Sequence, residues 1–256
     1  MKCALTIAGS DSGGGAGIQQ DLKVFSSLKV YGTSVICAVT AQNTLGVQGF
    51  EAVSPKIVGM QIDSVMSDLR PAAVKTGMLA NKEIIDVVTR KTKGYKIRNL
   101  IVDPVMVSTS GHRLLDKDAI NSMKKLISHS LLVTPNVPEA EVLSGIKIRN
   151  EEDMRAASEI IGNCLVKGGH MRGTDYLFYE GELTELKTKS FVKKKIHGTG
   201  CALSAAITAY LALGYDVPDA VKKSKKYIDE AIKRNYSVGK GLNVLDTAGI
   251  NKGKNL

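Results

Sequence analysis

The segment Cys3–Gly32, CALTIAGSDSGGGAGIQQDLKVFSSLKVYG, holds the first instance of the strand–helix alternation that runs along this chain. It opens on a short apolar run (3–9), passes through a turn with glycines at 13, 14, 15 and 17, and continues in residues of helical period and composition (17–32). A buried strand, a tight turn and an amphipathic helix make the first half of a strand–helix–strand unit. Strand-like runs recur at 34–42, 72–78, 99–105, 130–136, 164–169 and 175–181, and helical segments at 54–69, 81–94, 116–130 and 150–162. This alternation predicts an α/β fold with a mostly parallel central sheet covered by helices on both faces. At 175–192 the pattern becomes DYLFYEGELTELKTKSFV, alternating about Gly181, which predicts a short hairpin region. Helix is predicted again from Gly198 to about Asn235. With no repeat, linker or low-complexity tract, residues 1–256 read as a single domain, with a frayed tail at 251–256.

Composition narrows the function classes. Hydrophobic residues make up 43% and charged residues 23% of the chain, as in a globular enzyme. No apolar run approaches the roughly 18 to 20 residues that cross a bilayer. The N-terminus runs directly into the glycine-rich turn without signal-peptide architecture, so a cytoplasmic protein without membrane partners is expected. Cys3, Cys37, Cys164 and Cys201 have neither CxxC nor Cys/His spacing, so neither a disulfide framework nor a zinc site is indicated. The net charge of +10 raises the possibility of nucleic-acid binding, but the lysines are spread over helix faces. With no Trp and 5% aromatic residues, both stacking platforms and groove readers are missing, and no nucleic-acid partner is expected.

Open α/β sheets bind ligands beyond the carboxyl ends of their strands, and polar residues and glycines cluster at those exits here: GSDSGGGAG, TAQN, KTGM, DPVM, TPNVPEAE and KGG. The first stands where a phosphate cradle belongs, but matches neither GxGxxG nor the Walker pattern. It is either a flexible turn or a place where backbone closely approaches a flat ligand. Asp103, Asn136 and Glu139 are oxygen donors suited to a Mg²⁺ ion that keeps its waters and bridges nucleotide phosphates; Asn136 and Glu139 equally suit a helix cap. Lys167 is a phosphate partner or an ordinary strand-end lysine.

The strongest signal is HGTGC, His197–Cys201. Gly198 and Gly200 permit a tight backbone, and the N–H groups of Thr199, Gly200 and Cys201 then point out of a helix N-terminus, where an anion is stabilised. If a phosphoryl group is transferred there, they form an anion hole. Cys201 is either a proton acceptor whose thiol pKa the helix dipole lowers, or a small residue packed under the turn.

From ALTIAGSDSGGGAGIQQDLK through TAQNTLGVQ, KTGML, DPVM, TPNVPEAE and LVKGGH to HGTGCALSAAI, the sequence resembles the hydroxymethylpyrimidine and phosphomethylpyrimidine kinases of thiamin biosynthesis. The resemblance covers nearly the whole chain. It implies a ribokinase-like three-layer α/β/α fold, ATP with Mg²⁺, a homodimer, and phosphorylation of 4-amino-5-hydroxymethyl-2-methylpyrimidine and then of its monophosphate. By the same resemblance, Gly9, Ala16, Asp21, Gln42, Met78 and Val105 match positions lining the pyrimidine pocket. Asn136 and Glu139 match an Asn-x-x-Glu that holds Mg²⁺ through water, with Asp103 beside it, and Lys167 and Lys225 match nucleotide-side lysines. Gly198, Thr199, Gly200 and Cys201 match the anion hole and its final residue, which is an aspartate base in the sugar kinases of the superfamily. A thiol there avoids a second permanent negative charge beside an incoming substrate phosphate. The nearest alternative is a pyridoxine or pyridoxal kinase, although the Gln42 amide and Met78 suit an aminopyrimidine. A non-catalytic pyrimidine or nucleotide sensor has no need of an intact Asn136, Glu139 and GTGC. The polar stretch Ser108–Leu115 is a candidate lid, and 238–256 has no assigned role.

Overall fold

The structure, a computed structural model, describes residues 1–106, 118–168, 174–187 and 196–247. The candidate lid at 108–115 and the tail at 251–256 lie outside the described residues. In chain order the elements are β1 (Cys3–Ala8), α1 (Gly17–Ser27), β2 (Tyr31–Ile36), β3 (Ala38–Asn43), β4 (Gly46–Ala52), α2 (Pro55–Asp68), β5 (Ala73–Thr76), α3 (Lys82–Gly94), β6 (Leu100–Val102) and α4 (Ala119–Ile127). They continue with β7 (Leu132–Val133), α5 (Val137–Ser144), α6 (Glu151–Ile161), β8 (Cys164–Val166), β9 (Thr174–Tyr179), β10 (Glu182–Lys187), β11 (Ile196–His197), α7 (Thr199–Ala212), α8 (Val217–Lys233) and β12 (Asn243–Val244).

Among the described residues the main sheet has eight strands in the order β10-β9-β8-β7-β6-β5-β1-β2. It is parallel from β2 to β8, and the β9–β10 hairpin closes one edge antiparallel. Successive side chains on a strand point to opposite faces, and that period sorts the core into two layers. Leu5, Ile7, Val74, Leu100, Val102 and Val133 pack with helices α2 to α6, while Ala4, Ala73, Ile101, Leu132 and Leu165 pack with α1, α7 and α8. Helix α7 is apolar nearly all round because it lies between the sheet and other helices. The predicted three-layer α/β/α arrangement is therefore present. The strand order reverses direction at β1, with β2 on one side and β5 on the other, which puts a ligand-binding crevice at the carboxyl ends of β1 and β5.

Four local expectations change. The strand expected over 34–42 is two strands: the chain leaves the main sheet at Cys37, and β3 pairs antiparallel with β4 in a separate hairpin. β4 was missed because most of its residues are solvent-exposed and carry no core alternation. Helix α1 stops at Ser27 rather than running to 32, because Lys29 turns left-handed at φ 59° to begin β2. The helix expected from 198 to 235 is two, broken by Gly214 at φ 100° and restarted by Asp216, whose side chain caps α8 ahead of Pro218. Beyond α8, β12 pairs with β11 and brings part of the unassigned C-terminal segment against the HGTGC turn.

One polar contact lies inside the α1/α7 layer. On β1 and β5, Thr6 and Lys75 share the parity of Ala4 and Ala73 and so face this layer. Lys75 Nζ donates to Asp21 Oδ2 on α1 at 2.7 Å, both side chains being 0% exposed. Thr6 Oγ1 donates to the same oxygen at 2.6 Å. Removing one partner of such a pair strands a charge, whereas removing both does not. Lys75→Met is therefore expected to lose about 3–5 kcal/mol of stability, and adding Asp21→Leu to recover most of it. Urea unfolding of the two variants checks this.

Candidate active site

The site forms where two glycine turns, distant in sequence, meet. The first follows β1: Gly9 N–H donates to Met78 O at 3.0 Å and Ser10 N–H to Ala38 O at 2.8 Å, so the exits of β1 and β5 and the start of β3 are tied together. The rest of this turn wraps a single carboxylate. Asp11 Oδ1 accepts from Gly13 N–H at 2.8 Å, and Oδ2 from Gly15 and Ala16 N–H at 3.0 and 2.7 Å. These amide donors are thus already occupied by an internal anion and do not form an open phosphate cradle. Burial raises the Asp11 carboxyl pKa, but the bond and charge of His197, together with the Ala16 and Gly13 N–H groups, bring it below the ordinary carboxylate value.

The second turn is Gly198–Cys201. Gly198 takes φ 78°, and a Cβ there would overlap the carbonyl oxygen of Gly15. This position therefore requires glycine both for its conformation and for its close approach to the first turn. Gly198 is the N-cap of α7 and supplies no side-chain acceptor, which leaves the N–H groups of Thr199, Gly200 and Cys201 as anion donors. The Lys167 ammonium stands beside them, 3.5 Å from where a Cβ on Gly200 would lie. Burial pushes the Cys201 thiol up to about 11, with Lys75 opposing the shift. The expectation of a dipole-lowered pKa is therefore corrected: desolvation outweighs the helix terminus, and Cys201 is a neutral thiol at pH 7.

On the other side of Lys167 lies an acidic pair. Lys167 Nζ donates to Asp103 Oδ1 at 2.8 Å, and Ser204 Oγ on α7 to Asp103 Oδ2 at 3.3 Å. Asn136 and Glu139 form a capping box on α5: Glu139 N–H donates to Asn136 Oδ1 at 2.9 Å and Asn136 N–H to Glu139 Oε2 at 2.8 Å. A bridge from Asn136 to Lys167 sets this cap against the β8 exit. Burial raises Glu139 to about 7; Lys167 works against this and Asp103 reinforces it. Among the described residues no three His, Cys, Asp or Glu side chains are grouped as a closed metal cage.

The remaining named residues divide. Met78 Sδ covers Gly9, lying 3.1 Å from where its Cβ would be. Gln42 and Ala16 flank the glycine-rich turn, and Val105 is held three residues past β6 by its N–H to Asp103 O. Asp21 lies wholly inside the α1 layer with Lys75, beneath this rim. Lys225 on α8 pairs with Asp175, which also accepts Gly168 N–H at 2.9 Å, so it joins the cluster at the β8 exit. Sequence reasoning passed over Asp11, Lys75, His197 and Ser204. For Lys75 a signal existed, a lysine inside an apolar strand; for Ser204, one hydroxyl in a helix of small residues, there was none.

The sequence and fold agree with known proteins. The sequence model of the phosphomethylpyrimidine kinase family matches residues 11–246. The hydroxymethylpyrimidine/phosphomethylpyrimidine kinase of Bacillus subtilis is 43% identical over 248 residues, covering 93% of this chain and 92% of that protein. The crystal structure of phosphomethylpyrimidine kinase from Clostridium difficile 630 superposes with a TM-score of 0.82 at 46% identity, covering 91% of this chain and 100% of that one. A Staphylococcus aureus pyridoxal kinase in complex with AMP-PCP and pyridoxal superposes with a TM-score of 0.89 at 31% identity, covering 99% of this chain and 96% of that one. The chain belongs to the phosphomethylpyrimidine kinase family and is a phosphotransferase.

Proposed function

We propose that this protein transfers the terminal phosphoryl group of ATP to the hydroxymethyl oxygen of 4-amino-5-hydroxymethyl-2-methylpyrimidine and then to the phosphate of the resulting monophosphate, in thiamin biosynthesis. The observation that carries this reading is the uncapped N-terminus of α7 with Lys167 beside Gly200 and the rim of Gly9, Gln42 and Met78 nearby. Phosphoryl transfer passes through a loose transition state with charge on three equatorial oxygens, so the protein's work is positioning and electrostatic stabilisation. The Thr199, Gly200 and Cys201 N–H groups and the Lys167 ammonium meet that charge, each such donor being worth about 10² to 10³ in rate. The acceptor oxygen bonds to the γ-phosphorus as the bond to the β–γ bridging oxygen breaks; in the first transfer the hydroxymethyl proton passes to Cys201 in its thiolate form, and in the second the ionised phosphate oxygen brings no proton, so the thiol stays neutral. A thiol that is neutral at pH 7 spares the monophosphate, the second acceptor, a charge repulsion that an aspartate would impose. Lys225, tied to the β8 exit, serves the nucleotide side with Lys167.

Two buried carboxylates, Asp103 and Glu139, fit Mg²⁺ held largely through waters and phosphates, and the raised pKa of Glu139 marks a group that a cation would ionise. Asp103 and Glu139, with Asn136, would hold the ion, which would supply positive charge to offset that of the nucleotide phosphates. Exposed Val39, Leu45 and Phe50 on the β3–β4 hairpin support a homodimer, and the family resemblance supports a cytoplasmic enzyme without nucleic-acid or membrane partners. Pyridoxal is the second acceptor reading, favoured by the likeness to pyridoxal kinases across 99% of the chain.

ADP release with Mg-ATP and, separately, hydroxymethylpyrimidine, its monophosphate, pyridoxal or no acceptor tests the assignment. Turnover of both pyrimidines well above pyridoxal is expected, and turnover of pyridoxal alone would replace the substrate reading. Because Cys201 accepts a proton only as thiolate and its pKa is about 11, kcat should climb between pH 7 and 9, approaching tenfold per pH unit. Cys201→Ala should abolish the climb and lower kcat by about 10² or more, measured as a pH–rate profile of each protein. Glu139→Gln keeps an acceptor for the capping box but removes the charge. The melting temperature should stay within about 4 °C, while the Mg²⁺ concentration giving half-maximal rate rises several-fold in a metal titration.

A further inference from the structure

The imidazole of His197 joins three parts of the site. It lies on β11, opposite Val244 of β12, and its ring is held between Gly15 and Val244: a Cβ on Gly15 would fall 2.6 Å from His197 Cδ2 and 3.0 Å from Val244 Cγ1. Its Nε2 is 2.9 Å from Asp11 Oδ2 and 3.0 Å from Gln42 Nε2. A single ring nitrogen cannot accept from one and donate to the other. Asp11, 2% exposed and ionised, can only accept. A bare Nε2 facing it would set lone pair against lone pair, so Nε2 carries the hydrogen.

That hydrogen determines how Gln42 must stand. An amide NH₂ turned towards a ring N–H is donor against donor, whereas the amide oxygen in the same place shares the hydrogen with Asp11. The two ends of an amide are isosteric, and hydrogen bonding decides between them. Thr40 agrees with the turned orientation. Its hydroxyl donates to Ser10 O at 2.8 Å, leaving a lone pair for the amide end 3.4 Å away. We infer that His197 is a positioning residue for acceptor recognition, one that holds Gln42 with its oxygen towards the imidazole and its NH₂ towards the acceptor pocket, so that the enzyme selects an acceptor ring presenting a lone pair at that point. This rests on Gln42 lining the acceptor pocket. β12 then has a role as well: its pairing with β11 sets the ring.

The test has two arms. Nitrogen-15 NMR of the ligand-free protein reports which ring nitrogen of His197 bears hydrogen. A protonated Nε2 is expected, and hydrogen on Nδ1 with a bare Nε2 would overturn the inference even if the enzyme phosphorylates pyrimidines as proposed. The second arm is steady-state kinetics with hydroxymethylpyrimidine. His197→Leu should raise the acceptor KM about tenfold, or 1.4 kcal/mol, with kcat changed no more than about threefold and the ATP KM unmoved. His197→Gln, which keeps a donor for Asp11 and Gln42, should restore most of it. In a Gln42→Ala background His197→Leu should add less than about twofold. Equal KM increases in both backgrounds, or a fall in kcat at unchanged KM, would instead assign His197 to the architecture of the HGTGC turn. A wild type inactive on every pyrimidine would count against the substrate reading alone, since the NMR arm stands without turnover.

Discussion

The active site depends on a backbone contact: the carbonyl of Gly15 occupies the space a side chain at Gly198 would need. Only glycine, in the left-handed conformation that Gly198 adopts, lets the start of α7 come this close to the turn after β1. The contact fixes the distance between the two turns, because the first is tied to the start of β3 and the β5 exit and the second opens α7. Beneath it, the buried Lys75–Asp21 pair joins β5 to α1 on the same side of the sheet as α7. A desolvated ion pair of this kind is a poor source of stability compared with well-packed apolar residues. What it provides is a fixed positive charge within reach of Cys201, in the layer where the thiol sits.

Electrostatics divide the site into two halves. In one half, Lys167 stands between the α7 N-terminus and the Asp103–Glu139 pair, opposing the burial that raises the pKa of Glu139. In the other the internal charge is Asp11, whose oxygens take the turn's own N–H groups and the His197 ring. Glycine-rich turns at strand exits bind phosphate when their donors are free. Here a carboxylate from the same turn uses those donors, and the N-terminus of α7 is left without a side-chain cap.

Much of this was legible in the sequence. Strand–helix alternation gave the layers, because buried parallel strands need apolar runs and their covering helices need an amphipathic period. The strand exits pointed to the candidate site, and HGTGC, DPVM and Asn-x-x-Glu named groups that the structure brings together around Lys167. What escaped were elements without core periodicity: β4, largely solvent-facing, and β12, two residues long. The direction of the Cys201 shift also escaped. A helix N-terminus can be read from a Gly-Thr-Gly-Cys sequence, but the desolvation that opposes it depends on what packs around the sulfur.

The sequence by itself therefore determined the fold class, the order of the elements and the kinds of chemical group delivered to each strand exit, because these follow from local periodicity and turn chemistry along the chain. The tertiary structure alone decided which of those groups touch. His197 meets Asp11 from 186 residues away in sequence, Lys75 finds Asp21 across two layers, and Gly239 and Gly241 close against Thr44 at the tip of the β3–β4 hairpin. Hydrogen-bond roles, burial and the resulting pKa values are properties of such meetings, and no stretch of sequence contains both partners.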